Sequence, residues 1–278
     1  MFRLRSASFV PALLALGGCT LLLGYGDEAQ LAADAGAPDA HGGSPDAAGP
    51  DALDDRPFCE RQSPRPTFCA SFDGPGYLSE WQGSGANNAR LERDTSSFVS
   101  SPASLLVSLD RKDDGFVGAG VSADFAAWAD RPFSVAIGFD IQVEAVAPTE
   151  AFAVLASPIV MFVPNRASYL VQFTGRLLAD GSTVAVSIVE VTNSPDASRE
   201  HPSSVTLQIG KWAHVDLTMA LSGPANSARL AVDGAVGFEG PLDLTAPGTP
   251  STNFGLATVS ANSTTWMYRF DNVTLDFR

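Results

Sequence analysis

The sequence predicts an all-β domain, a two-sheet antiparallel sandwich or a barrel, and three observations lead there. From Phe58 onward, apolar and polar residues alternate with period two, the repeat of strands with one face in a core. Turn signals break that alternation, as at "ADGS" (179–182) and "VDGA" (232–235), where Asp-Gly supplies the positive φ of a tight hairpin. No helical period is sustained across these 221 residues, and ten or more strands must stack as two layers or close into a barrel.

In chain order the strand candidates are Ser104–Leu109, Val117–Phe125, "PFSVAIGFDIQVEAV" (132–146), Phe152–Phe162, Ser168–Leu178 and Thr183–Thr192. Ser204–Ile209, Ala213–Leu221, Ala228–Val232 and Met267–Phe277 complete them. The 132–146 stretch is the clearest. Phe133, Val135, Ile137, Phe139, Ile141 and Val143 share one face, and Ser134, Ala136, Gly138, Asp140, Gln142 and Glu144 share the other. "ADFAAWAD" (123–130) is the one plausible helical piece, and it is brief.

The chain ahead of this domain reads differently. Arg3 and Arg5 precede an apolar stretch, Ser6–Leu16, which is shorter than the about 20 residues that span a bilayer. Leu16-Gly17-Gly18-Cys19 resembles the bacterial lipobox, which implies a signal peptide over 1–18 and a diacylglycerol on the Cys19 thiol. A generic signal peptide with a chance cysteine is the alternative. Gly17, Gly18 and Thr20 interrupt the stretch and disfavour a spanning helix. Thr20 lacks the aspartate associated with inner-membrane retention, so the expected location is a bacterial cell envelope, at the outer membrane or cell surface.

Residues 19–57 form the expected tether, from Cys19 through a run dominated by Ala, Asp, Gly and Pro. Its low apolar content leaves little to offset the entropy of ordering, so disorder is expected, with a reach on the order of 30–40 Å. Eight acids stand there against Arg56 alone, within a net charge of −14 for the chain. An acidic chain without a basic cluster argues against nucleic acid and against electrostatic docking on anionic lipid. The membrane link is then the lipid alone, and a monomer is expected.

With Cys19 assigned to lipid, Cys59 and Cys69 remain, ten positions apart and flanked by Pro57, Pro64 and Pro66. An exported setting favours a disulfide between them over two free thiols. Two cysteines and three scattered histidines lack zinc spacing.

Three stretches resemble concanavalin A-like lectin/glucanase jelly rolls, in particular the laminin-G-like and pentraxin-like members. "FCASFDGPGYLSEW" (68–81) is similar to their opening strand, and "GKWAHVDLTMALSGPANSARLAVDG" (210–234) to their tryptophan-led strand, loop and strand. "RFDNVTLDF" (269–277) is similar to the closing strand that pairs beside the first. The resemblance spans 68–278 and implies two curved sheets, with domain limits of 58–278. It also implies glycan or partner binding at the concave face or its loops. One structural Ca²⁺ follows from the same resemblance, with Asp73 and Asp271 as ligands; hard oxygen donors suit that ion.

Site candidates come from the outward positions. Asp140, Gln142 and Glu144, His214 and Asp216, and Gln172, Thr174 and Arg176 would form a polar groove if their strands were neighbours. Carboxylates, amides, Arg and imidazole are the groups that bind sugar hydroxyls, and an aromatic ring offers a plate for the pyranose face. Trp81 and Trp266 are the preferred plates, whereas Trp212 leads a strand where relatives bury it. Any solvated sheet face carries the same residue types, which is the plain alternative.

Catalytic motifs are missing. The fold's hydrolase pattern Glu-x-Asp-x-x-Glu does not occur, and Asp140 and Glu144 are about 13 Å apart along a strand, too far for paired carboxyls. The strands that carry catalysis in jelly-roll lyases are not recognisable, and His201 is placed in a loop. The expectation is therefore a non-catalytic envelope lipoprotein that binds a glycan or partner. The alternatives are a polysaccharide hydrolase or lyase, or a structural envelope protein.

Overall fold

The computed structural model describes residues 56–87, 89–110, 118–129, 131–147, 152–163, 166–193, 196–221, 225–243, 248–258 and 265–278. The signal peptide (1–18), the lipidated Cys19 and the tether as far as residue 55 lie outside them.

A short helix α1 (Phe58–Arg61) precedes β1 (Phe68–Ala70), β2 (Gly83–Asn87), β3 (Arg90–Asp94), β4 (Ser104–Asp110) and β5 (Gly118–Asp124). Then come β6 (Phe133–Ala147), β7 (Phe152–Val163), β8 (Arg166–Leu177), β9 (Thr183–Asn193) and β10 (Asp196–Gln208). The last are β11 (Trp212–Leu221), β12 (Ser227–Val232), β13 (Ala235–Pro241), β14 (Thr249–Thr258) and β15 (Thr265–Phe277). Sheet A runs β13-β12-β11-β6-β15-β4-β3, with β1 also paired to β15, and sheet B runs β10-β9-β8-β7-β14-β5-β2. Every pairing is antiparallel. The predicted sandwich is what forms.

Alternation explains which faces meet. The apolar side of β6 is buried from Phe133 to Val143, and Trp266, Tyr268 and Phe270 of β15 join it with no exposure. Phe139 sits where the sheets touch. Its ring meets Phe270 of its own sheet and Phe173 and Phe254 of the other edge-on, with centroids 5.1–5.7 Å apart. Edge-to-face packing suits the ring quadrupole.

In β15 the register slips between Asp271 and Thr274, and Asn272 takes a φ of 53°. Beyond this bulge the odd positions Val273, Leu275 and Phe277 are the buried ones. Both Asp-Gly turns form as expected. Asp233 and Gly234 have φ of 49° and 78°, and Gly181 has φ of 69° while Asp180 Oδ1 accepts the Ser182 and Thr183 N–H groups. Near the start, Cys59 and Cys69 are joined in a disulfide. Beside it β1 pairs with β15, the predicted meeting of opening and closing strands.

Four expectations need correction. "ADFAAWAD" is not a helix: Asp124 ends β5, and only Ala126–Trp128 makes a 3-10 turn. The strand expected at Ser204–Ile209 begins at Asp196, so His201 is a strand residue and not a loop residue. Polar residues hid this half of β10, because it is an edge strand and its inward positions are held by polar contacts. Strands β2, β3, β13 and β14 escaped prediction; β14 sends the single aromatic Phe254 into the core amid small and polar neighbours. Finally, β8 lies in sheet B while β6 and β11 adjoin in sheet A. Gln172, Thr174 and Arg176 therefore cannot share a groove with Asp140 and His214.

Candidate functional site

The outer face of sheet A gathers most of the predicted polar residues. Asp140 and His214 oppose each other across β6 and β11, with Oδ1 and Nδ1 2.7 Å apart. Asn272 donates to Asp140 Oδ2 at 2.7 Å, and Asp216 lies 3.4 Å from His214 Nε2. The hydrogen bond to Asp140 raises the His214 pKa against the effect of burial, with the Asp140 and Asp216 charges adding to it. Glu144 pairs with Arg269, which also donates to Asp94 Oδ2 at 2.5 Å.

This face is not an open groove. The segment 95–103 between β3 and β4 is tied down over it. Ser97 Oγ donates to Gln142 Oε1 at 2.8 Å and accepts the Trp212 indole N–H at 3.0 Å. Gln142 Nε2 donates to Gly210 O at 3.0 Å. Asp271 Oδ2 accepts the N–H groups of Val99 and Ser100 at 2.9 and 2.8 Å. Asp140 and Gln142 are buried, and of the predicted residues on this face His214 and Asp216 keep the most solvent contact. The residues converge as the strand pattern implied, but their hydrogen bonds hold this protein together.

Both aromatic plates are corrected. Trp266 has no exposure and Trp81 has 7%, with Trp81 packed against Phe68 at 4.8 Å and stacked on Phe72 at 6.2 Å. Neither ring offers a face to a sugar. Arg176 is exposed, but on the other sheet.

Of the two residues expected to hold calcium, Asp73 has oxygen atoms turned to no close donor, whereas both oxygens of Asp271 accept bonds from protein groups. Both carboxylate oxygens of Asp73 and Asn272 Oδ1 are buried without a well-formed hydrogen bond. Burial raises the Asp73 pKa, outweighing the nearby donors of Ser71, Ala103 and Phe58 and the Arg93 charge. Burial likewise pushes Asp271 up to about 8 although three backbone N–H groups face it, and the Asp73 charge adds to the rise. Two carboxylates that repel each other in a desolvated setting, one of them Asp73 with no close donor on its oxygens, are compatible with an oxygen-coordinated cation.

Sheet B presents a different outer face. Register aligns one residue from each strand across the sheet. Gly83 faces Ser122, Ser122 faces Asn253, and Asn253 faces Ser157. Gln172 meets β7 at the bulge that contains Ser157, then faces Val189, which faces Glu200. Their sequence neighbours Val121, Phe254, Ala156, Phe173 and Ile188 are core residues, so the row points outward. Seven strands make this row on the order of 29 Å long.

Among the described residues, no segment is tied over the row. Ser122, Asn253, Ser157 and Gln172 are partly exposed and Glu200 is exposed. Glu200 Oε1 accepts from Ser187 Oγ at 3.0 Å, and Ser187 Oγ lies 2.7 Å from Thr174 Oγ1, which leans the carboxylate back over the sheet. Val160, Leu170 and Val191 form an apolar patch beside it, with Phe162 and Val189 packed against them. Hydroxyls, amides, an arginine two steps beyond Thr174, a carboxylate and an apolar floor suit a polysaccharide laid across the strands. Gln172 and Arg176 were legible as outward positions, but Ser122, Ser157, Asn253 and Glu200 were missed because strand order and register brought them together.

No known protein family and no curated protein sequence matches the chain. Solved structures do. The endo-β-1,4-glucuronan lyase from the fungus Trichoderma reesei aligns with a TM-score of 0.57 and 12% identity, over 76% of this chain and 95% of that one. The cellulose induced protein Cip1 aligns at 0.50 and 11%, over 75% and 96%. The alginate lyase Aly36B aligns at 0.49 and 12%, over 75% and 96%. At these identities the likeness shows the fold alone, a two-sheet jelly-roll sandwich. It corrects the expectation of a non-catalytic domain: the glucuronan lyase has this fold over 95% of its own length, so in that protein the fold carries polysaccharide cleavage. Missing sequence motifs did not separate this chain from enzymes.

Proposed function

We propose that the chain is an exported polysaccharide lyase that cleaves a uronate-containing glycan by β-elimination on the outer face of sheet B. The observation that carries this reading is the transverse row from Ser122 to Glu200. Its support is the shared fold with a glucuronan lyase. Gln172 and Glu200 are two strands apart, roughly 10 Å between backbones, with Val189 as floor between them. That gap leaves room for a pyranose between the two side chains.

In this mechanism the amide N–H group of Gln172 binds the substrate carboxylate and the Arg176 guanidinium neutralises it, which acidifies the C5 proton, while Asn253, two strands further on, binds a neighbouring sugar. Glu200 accepts that proton. The C5–H electrons form the C4=C5 double bond, the C4–O4 bond breaks, and protonated Glu200 returns the proton to the leaving oxygen. Retaining hydrolysis needs two carboxyls about 5–5.5 Å apart, and the row holds one.

The same reading places the protein outside the cytoplasm. Residues 1–18 are cleaved, Cys19 carries the lipid, the 19–57 tether holds out the 58–278 domain, and the Cys59–Cys69 disulfide fits an oxidising compartment. Calcium, held by Asp73 and Asp271, would neutralise their buried charge beside β1 and β15, away from the chemistry. The test is incubation with a panel of polyuronates, followed by the ultraviolet absorbance of unsaturated uronate ends. Wild type is expected to produce them, and Glu200→Gln to lower the rate by about 10²-fold or more. No unsaturated product from any polyuronate, or full activity in Glu200→Gln, would overturn the proposal.

A further inference from the structure

A second group of chemically capable side chains lies on the core side of sheet B, opposite the transverse row. Glu190 of β9 has no exposure, His201 comes from β10, and Asp243 follows the end of β13. One donor atom from each lies within 4.8 Å of the others. Glu190 Oε2 is 2.7 Å from His201 Nε2 and accepts the Asp243 backbone N–H at 2.8 Å. The other oxygen, Oε1, accepts the Tyr169 hydroxyl at 2.7 Å.

We infer that Glu190, His201 and Asp243 form a binding site for a divalent transition-metal ion of the zinc type. One imidazole and two carboxylates are ligands that zinc takes, and the imidazole nitrogen disfavours calcium or magnesium. Tyr169 acts as an outer partner: it holds Oε1 and leaves Oε2 turned toward His201, the arrangement that orients ligating carboxylates elsewhere. The His201 side chain retains 11% exposure and Asp243 is exposed, which gives the ion an entry path and room for bound water.

The role is structural. Strands β9 and β10 belong to sheet B, while Asp243 extends from β13 of sheet A. The ion would fasten the β10 edge of one sheet to the β13 edge of the other, where the His201 and Phe238 rings already meet at 5.0 Å. This site is independent of the proposed lyase chemistry.

The test uses the whole chain without an affinity tag, stripped with a chelator and titrated with zinc chloride by calorimetry in excess calcium. One zinc per chain and a higher melting temperature are expected. Binding should weaken at least tenfold in His201→Gln and in Asp243→Asn, and stay unchanged in His214→Gln. Asp243→Asn alters an exposed side chain and keeps its backbone N–H bond to Glu190, so folding is not at stake. The inference is overturned if the folded chain takes up no zinc, or if both variants bind it as tightly as wild type.

Discussion

Asp140 and His214, opposed across β6 and β11, are joined by a 2.7 Å contact that raises the imidazole pKa. A raised histidine contributes stability that is complete below its ordinary value of about 6.5 and is lost as pH climbs through the folded-state value. Unfolding midpoints in urea for wild type and His214→Gln should therefore differ most in mild acid and converge at alkaline pH. His214 is nearly half exposed, so solvent screening limits the difference to about 0.5–1 kcal/mol. A gap that widens with rising pH would contradict the assignment.

Burial raises the Asp73 pKa against the donors of Ser71, Ala103 and Phe58 and the Arg93 charge. Calcium at about a hundred times its dissociation constant should add about 2.7 kcal/mol, or roughly 5–10 °C in melting temperature for a domain of this size. Asp73→Asn should abolish that rise. Without calcium it should melt no lower than wild type, because a carboxylate whose ionised form burial disfavours has been replaced by a neutral amide. Calorimetry in calcium and in chelator compares all four states.

How far the sequence could be read depends on which strand is asked. β6 was legible because one face is uniformly apolar and the other polar, so its inward residues followed from alternation. The bulge in β15 leaves its own mark, since Asp271-Asn272 interrupts the alternation of Trp266, Tyr268 and Phe270. Sheet membership was not legible. The polar side of β8 looks like the polar side of β6, and only strand order shows that they face opposite ways. The same limit hid the row from Ser122 to Glu200, whose members are spread over more than 130 residues of chain. Trp81 and Trp266 were misplaced for a simpler reason: an aromatic ring near a loop or a strand end is as ready to fill a core as to face water.

The Cys59–Cys69 disulfide closes a short loop ahead of β1. Replacing both cysteines by serine should lower unfolding stability by about 3 kcal/mol, read from denaturant midpoints with the slope unchanged. A loss near zero would mean that the segment before β1 adds little to the cooperative unit.

Phe139 touches rings from both sheets. Phe139→Ala should cost about 3–5 kcal/mol in the same assay, whereas Thr218→Ala, on the outer side of β11, should stay within about 0.5 kcal/mol.

The bulge at Asp271 and Asn272 sets the phase of the closing strand. One half of β15 counts its inward residues on even numbers and the other half on odd numbers, and the extra residue accounts for that change of parity. Deleting Asn272 would leave Val273, Leu275 and Phe277 facing the core, since Phe270, Asp271 and Val273 would then alternate without a break. What it would remove is the amide that donates to Asp140 Oδ2, so the extra residue serves the outer face of the sheet and not its core.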